Sequence, residues 1–544
     1  MIRSFLLAAA TIGFLQGFAQ LKQQTKTAAV PRPKLVVGIM VDQMRWDYLY
    51  RFKNRYVDGG FNRLMREGMN CQNTMIPYAQ TVTAAGHTCV YTGSVPAIHG
   101  IMGNEWFDKS QNREIYCAED KTVSLVGVEK GEPMSPANMW TTTICDELKL
   151  ATNFKSKVLG IAIKDRGGIL PAGHSADAAY WYDGTYGKWI TSTYYMNSLP
   201  QWVNKFNDKK LVDSFYKLNW NTLFPIDSYT QSDADEVPYE GKFAHEKAPV
   251  FPHDLVSRVG KDYGTIRNTP FGNSFTIQFA QEALVQEGMG ADDITDFLAM
   301  SLSSTDYVGH QFGPNSIEIE DTYLRLDRDL AAFFTFLDKK VGAGNYTVFL
   351  TADHAVAHVP DYNKAHKLPG KAIASSTTEL NAKLEEVFKV KGIVRSSANY
   401  QLYLNDRIID SAALDKSAIK KYIVQYLNQL PDVLVAFETA NSVTAPLPQS
   451  VREQFANGFN TKRGGDIQIV LKAGYFYGGK TGTTHGSFNP YDAHIPLLFM
   501  GWGIKKGSLT REVYMTDIAV TLASLLKVQM PSGAVGHVIP EVLQ

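Results

Sequence analysis

The sequence predicts an α/β fold: a mostly parallel central sheet flanked by helices on both faces, with inserted cap segments. Two patterns lead to it. Short continuous runs of branched apolar residues recur along the chain, as strands buried on both faces require. Amphipathic stretches of helical period, such as 317–337, lie between several of them. With 544 residues the chain can bury a large core.

Taken in order, the elements begin with a secretory signal over residues 1–19. Arg3 gives the positive start, residues 5–15 the apolar stretch, and Gly17-Phe18-Ala19 the small-residue cleavage site. Cleavage near Ala19 implies a periplasmic or secreted protein. The apolar stretch is too short to span a bilayer comfortably, and no later run does better. Residues 20–33 are a polar lead-in, and 34–544 form the α/β domain. Buried strands are expected at 35–41, 158–163, 297–302, 346–350 and 495–500. Two segments break the rhythm, an aromatic-rich stretch at about 172–275 and a mixed one at about 372–480. The second holds a helical pattern at 378–390 and strand-like runs at 400–404 and 466–471. Both are read as insertions capping the sheet edge.

Composition narrows the function. Lys plus Arg total 54, as do Asp plus Glu, so no net basic field favours nucleic acid. An anionic substrate must be met by local charge. The four cysteines, Cys71, Cys89, Cys117 and Cys145, form no C-x-x-C pair. They read as structural bridges or buried thiols, not as a zinc knuckle. The run Gly474 to Thr481 fits G-x-x-x-x-G-K-[ST], but bulky aromatics fill it and Gly482, Gly486 and Pro490 follow it, so no helix opens to cradle a phosphate.

Ligands bind beyond the carboxyl ends of parallel strands. The first strand ends in Asp42, and the strand at 158 in Lys164-Asp165-Arg166. The strand at 297 leads to Asp306 and His310, and the strand at 346 to Asp353-His354. His485 lies in a Gly-rich turn. Any one of these would pass for a cap or a core polar group. As a set they are six N/O ligands that divide into two sites of three, a mixture suiting zinc, with manganese and iron chemically open. Thr83 follows Gln80-Thr81-Val82 and precedes Ala84-Ala85-Gly86. It reads as an N-cap whose hydroxyl sits where anions bind, and which a metal ion would activate. In an extended segment Lys164 and Arg166 would face one side, matched to phosphoryl oxygens, and Asn104 after a Gly-rich turn would add a donor. His358 reads as a surface or supporting histidine.

These motifs resemble the alkaline phosphatase superfamily: Asp42 ending a strand, Thr83-Ala84-Ala85-Gly86-His87, His99-Gly100-Ile101-Met102-Gly103-Asn104, Asp306 with His310, Asp353-His354 and a late His485. The chain is most similar to its PafA-type, phosphate-irrepressible periplasmic monoesterases. The resemblance implies one zinc on Asp306, His310 and His485, and another on Asp42, Asp353 and His354 with Thr83 as further ligand and nucleophile. It implies Asn104, Lys164 and Arg166 on the phosphoryl oxygens and a covalent phosphothreonine. Because Lys-x-Arg stands where other members use a third site, two Zn2+ and no obligatory Mg2+ are expected. Sulfatase relatives need C/S-x-P-x-R, which does not occur. The expected substrates are small-molecule phosphate monoesters, with no nucleic-acid partner, no membrane span and a reading compatible with a monomer. A phosphodiesterase or nucleotide pyrophosphatase on the same scaffold is the alternative, and a non-catalytic phosphate- or metal-binding protein a more distant one.

Overall fold

The computed structural model describes residues 30–374 and 376–544, and Pro33–Gln544 form one compact unit. The expected secretory signal and nearly all of the lead-in lie outside the described residues. Among the described residues no helix is long and apolar enough to cross a membrane.

Five parallel strands form the centre: Leu35–Val41 (β1), Val158–Ala162 (β2), Ala178–Asp183 (β3), Asp296–Leu302 (β4) and Tyr346–Thr351 (β5). They lie in the order β5-β1-β4-β2-β3 within a ten-stranded sheet. Leu35 pairs with Asp296 on one side and Tyr346 on the other, so the carboxyl ends of β4, β1 and β5 finish level. Every residue of these three strands is buried, which is why they read as unbroken apolar runs.

The run expected at 495–500 is two strands in two sheets. His494–Ile495 pairs with Thr74–Met75, whereas Leu497–Gly501 (β6) joins the main sheet antiparallel to β5. Pro496 stands between them and has no N–H to carry a ladder across. The expected insertion at about 172–275 also needs correction. Its first part supplies β3 and the strand Lys188–Ser192, both in the main sheet. Tyr180, Tyr182 and Trp189 are buried there against Phe275 and Phe279. The segment at about 372–480 builds an antiparallel sheet of its own from Val394–Ala398, Gln401–Leu404, Ile467–Leu471 and Val433–Glu438, in that order. The helix expected at 378–390 stops at Phe388, where Lys389 turns left-handed at φ 61°.

Four helices carry the key polar side chains: Thr83–Thr92 (α1), Asp165–Ala172 (α2), Ser304–Phe312 (α3) and Ile317–Leu337 (α4). The four cysteines are free and buried, and burial pushes the Cys71 thiol up to about 12.

Candidate active site

The expected residues converge. Asp42 is the first residue after β1, and its N–H donates to Leu302 O at 3.2 Å. Asp353 and His354 follow β5 closely, and α3 starts two residues past β4, presenting Asp306 and His310 one turn apart on one face. Thr305 Oγ1 donates to Asp42 O at 2.6 Å, locking α3 to the end of β1.

Asp42 Oδ1, Asp353 Oδ2 and His354 Nε2 are buried without hydrogen-bond partners. His354 Nε2 lies 3.6 Å from Asp42 Oδ1 and 3.4 Å from Asp353 Oδ2. Ligand atoms of these three residues all lie within 4.8 Å of one another. A second group forms around Asp306 Oδ1, which is 3.2 Å from His310 Nε2 and 3.6 Å from His485 Nε2. His354 and His485 stack with ring centroids 3.5 Å apart, so the two groups adjoin and His354 also falls within the second.

The histidines are set in one tautomer. Nδ1 of His354, His310 and His485 lies 3.1, 2.8 and 2.7 Å from the carbonyls of Ala355, Thr483 and Thr81. A carbonyl only accepts, so each Nδ1 carries the proton and each Nε2 lone pair faces the carboxylates. Imidazoles held by backbone carbonyls, beside orphaned carboxylate oxygens, fit a pair of metal ions. Charge leads to the same fit. Asp42, Asp306 and Asp353 are buried, and the ammonium of Lys164 is paired with the first two. Burial, then the charge of Asp353, pushes Asp42 well above the usual carboxylate range. Burial, then the neighbouring His354 and His310, pulls His485 well below the usual imidazole range.

Thr83 is the first helical residue of α1. The cap is Val82, so the expected N-cap role is corrected by one position. Capping falls to Asn104, whose Oδ1 accepts the Ala84 N–H at 3.0 Å and leaves its amide NH2 for another partner. Gly86 lets α1 close on the sheet end, since a Cβ there would lie 2.3 Å from Asp353 O.

The segment from Lys164 to Arg166 is not extended throughout, contrary to expectation: Lys164 itself is extended, but the helix begins at Asp165. Lys164 caps α2 and Arg166 lies in its first turn. The helix approaches β2 so closely that a Cβ on Gly160 would lie 2.1 Å from Gly168 O. Lys164 Nζ donates to Asp42 Oδ2 at 2.7 Å and Asp306 Oδ2 at 2.5 Å, bridging the two groups. Arg166 donates to Tyr116 Oη at 3.0 Å, its Nε is buried without a partner, and Tyr116 donates in turn to Asp165. His358 faces Asn315 Oδ1 at 2.6 Å and stays outside both groups.

Sequence reasoning gave no role to two residues here. Gln43 sits at φ 65° and donates through Nε2 to Asp306 Oδ1 at 2.7 Å and through N to Asp353 Oδ1 at 3.1 Å. His87 Nδ1 lies 3.2 Å from Asp353 Oδ2 and 2.9 Å from Thr83 O, and its Nε2 lies 2.8 Å from Ser301 Oγ. His87 was legible only as a helical neighbour of Thr83, one turn on. For Gln43 the sequence carries no signal beyond adjacency to Asp42.

Comparison with known proteins gives a consistent result. The family described as type I phosphodiesterase / nucleotide pyrophosphatase matches residues 36–494. Alkaline phosphatase PafA of Elizabethkingia meningoseptica is 52% identical over 523 residues, covering 95% of this chain and 96% of that protein. Alkaline phosphatase PhoV of Synechococcus elongatus is 50% identical over 522 residues, covering 95% and 94%. A crystal structure of wild-type PafA superposes with a TM-score of 0.93 at 51% identity, covering 95% of this chain and all of that one.

Proposed function

Because the chain belongs to the type I phosphodiesterase / nucleotide pyrophosphatase family of the alkaline phosphatase superfamily, we propose that Thr83 is the nucleophile of a two-metal phosphate-monoester hydrolase. The chain is an alkaline phosphatase, a metal-dependent enzyme acting on phosphate monoesters. The finer reading assigns Asp42, Asp353 and His354 to one ion and Asp306, His310 and His485 to the other, with Thr83 beside the first. Zinc suits the mixed imidazole and carboxylate set, and no obligatory Mg2+ is included. When bound, the ions supply positive charge that favours the Thr83 alkoxide and stabilises the leaving oxygen.

The residues do the rest. Thr83 Oγ1 attacks phosphorus in line, the ester oxygen departs, and a phosphothreonine remains for water to hydrolyse. The transition state is loose and spreads charge over the non-bridging oxygens, so catalysis is mainly positioning and electrostatics. The amide NH2 of Asn104, left free by its capping oxygen, donates to one such oxygen. Lys164 and Arg166 serve the others; Lys164 Nζ, now bonded to Asp42 and Asp306, would be freed for this role if those carboxylates held metal ions. The segment at about 372–480 is read as a cap, and the protein as exported after cleavage near Ala19.

The observation that carries this reading is the set of three imidazoles with Nδ1 on backbone carbonyls and Nε2 turned to buried carboxylates beside Thr83. The test is Thr83→Ala in the metal-loaded protein. Monoester turnover falls to background with metal content retained, and unimpaired turnover would contradict the assignment. A diesterase reading is favoured instead if diesters turn over faster than monoesters. Two cations facing the phosphoryl group suit the monoester dianion, and Lys164→Ala with Arg166→Ala removes any monoester preference.

A further inference from the structure

Tyr116 lies outside both ligand groups, yet it is bonded to the side chains read above as phosphoryl donors. It ends the strand Arg113–Tyr116, which pairs antiparallel with Glu105–Asp108 so that Tyr116 stands opposite Glu105. The Cys117 N–H donates to Asn104 O at 2.9 Å, and the ladder thereby runs on to Asn104 itself. At the base of this hairpin the Tyr116 hydroxyl accepts from Arg166 Nη1 at 3.0 Å and donates to Asp165 Oδ1. Asp165 Oδ1 also accepts the backbone N–H of Arg166. Carboxylate, phenol and guanidinium form a closed ring at the start of α2.

We propose that Tyr116 is a positioning residue for the phosphoryl site, its hydroxyl aiming the Arg166 guanidinium and tying it to the hairpin that presents Asn104. The proposal rests on the reading of Arg166 given above. Asp165 and Arg166 are neighbours, and a carboxylate left unoccupied would compete for the guanidinium fork. The phenol stands between them: it engages Asp165 and takes one of the five guanidinium donors. Arg166 Nε is buried without a partner, a penalty that a bound oxyanion would relieve. A long side chain gains from such a restraint, because donors already in place stabilise developing charge without reorganising. Burial, then the charge of Asp165, pushes the Tyr116 phenol well above its usual range, so it stays a donor in alkaline solution.

The hairpin is itself braced. The Tyr116 N–H donates to Glu119 Oε2 at 3.1 Å. From the segment at about 372–480, Asn399 Nδ2 donates to Glu105 O at 3.0 Å and Ser396 Oγ to Glu114 Oε1 at 2.9 Å, while Lys109 Nζ pairs with Asp466 at 2.8 Å. A Cβ on Gly103 would lie 2.4 Å from Asn399 Nδ2, so the same segment presses on the turn before Asn104. Asn104 and Arg166 are thus referred to one hairpin and not each to its own loop.

The test is a double-mutant cycle on the zinc-loaded enzyme, read with 4-nitrophenyl phosphate as monoester and methyl 4-nitrophenyl phosphate as diester. Tyr116→Phe keeps the ring and removes the hydroxyl. Monoester kcat/KM is expected to fall about tenfold, as on loss of a hydrogen bond to a charged group, with diester turnover, zinc content and Tm retained. In an Arg166→Ala background Tyr116→Phe costs nothing further, since no guanidinium is left to aim. The proposal is overturned if Tyr116→Phe leaves monoester kcat/KM unchanged while Arg166→Ala lowers it, or if the two losses multiply in the double variant. Equal loss of monoester and diester turnover in Tyr116→Phe also overturns it, as the mark of a merely structural role. No loss in Arg166→Ala would instead refute the reading of Arg166, and the proposal with it.

Discussion

Lys164 offers one ammonium to two carboxylates, Asp42 and Asp306, while Asp353 is met by the imidazoles of His87 and His354 and by the backbone N–H groups of Gln43 and His354. Three buried anions on one cation are poorly balanced, and that imbalance is what metal ions would relieve. Chelation is therefore expected to abolish turnover and lower Tm, with both restored by Zn2+; a Tm indifferent to chelation would contradict this. Lys164→Ala and Arg166→Ala should each cost about 10²–10³ in kcat for monoesters, the range for removing a donor to developing charge, read from steady-state kinetics. At this scale much was legible. Asp42, Lys164, Asp306, Asp353 and His354 stand where apolar runs stop, and a run's end is visible in sequence. The roles of Gln43 and His87 were not legible, because each depends on a residue far along the chain. Arg166 was misread as extended because Gly167, Gly168 and Pro171 mask the helix that holds it, while Lys164 just before that helix is extended as expected.

Helix α1 reaches the sheet end because Gly86 has no side chain where it meets Asp353. Gly86→Ala should cost about 1–3 kcal/mol as overpacking and lower kcat by displacing Thr83, as denaturation and kinetics would show. Where 231–255 meets α4, acid–base balance sets stability. With Glu246 and Glu318 on its two nitrogens, His253 keeps its proton up to about pH 9, against 6.5 ordinarily. Its stabilisation is complete below the ordinary value and lost as pH rises through about 9. Glu240, which burial and then Glu318 push up to about 10 from 4.5, costs stability progressively as pH rises from 4.5 to about 10. The protein should therefore lose Tm steadily from pH 7 to 10, and Glu240→Gln should flatten that slope. Helix α4 was legible from its period and the buried strands from their unbroken apolar runs. The break at Pro496 marks where one apolar run serves two sheets, and residue pattern cannot say which partner each half takes.

Across the whole molecule, the parallel centre followed from branched apolar runs, and the sheet's flank did not. Tyr180, Tyr182 and Trp189 sit in strands on that flank, but their aromatic crowding reads in sequence as irregular chain. The antiparallel additions at β6 and Lys188–Ser192 depend on pairings that only the folded chain defines. The resulting arrangement brings residues 42, 83, 306, 353 and 485 together at the carboxyl ends of the central strands, and function rests on that convergence. Anomalous diffraction at the zinc edge tests it most directly. Two peaks about 4 Å apart are expected, one against Asp42, Asp353 and His354 and one against Asp306, His310 and His485, both beside Thr83. A single peak, or peaks on other residues, would contradict it.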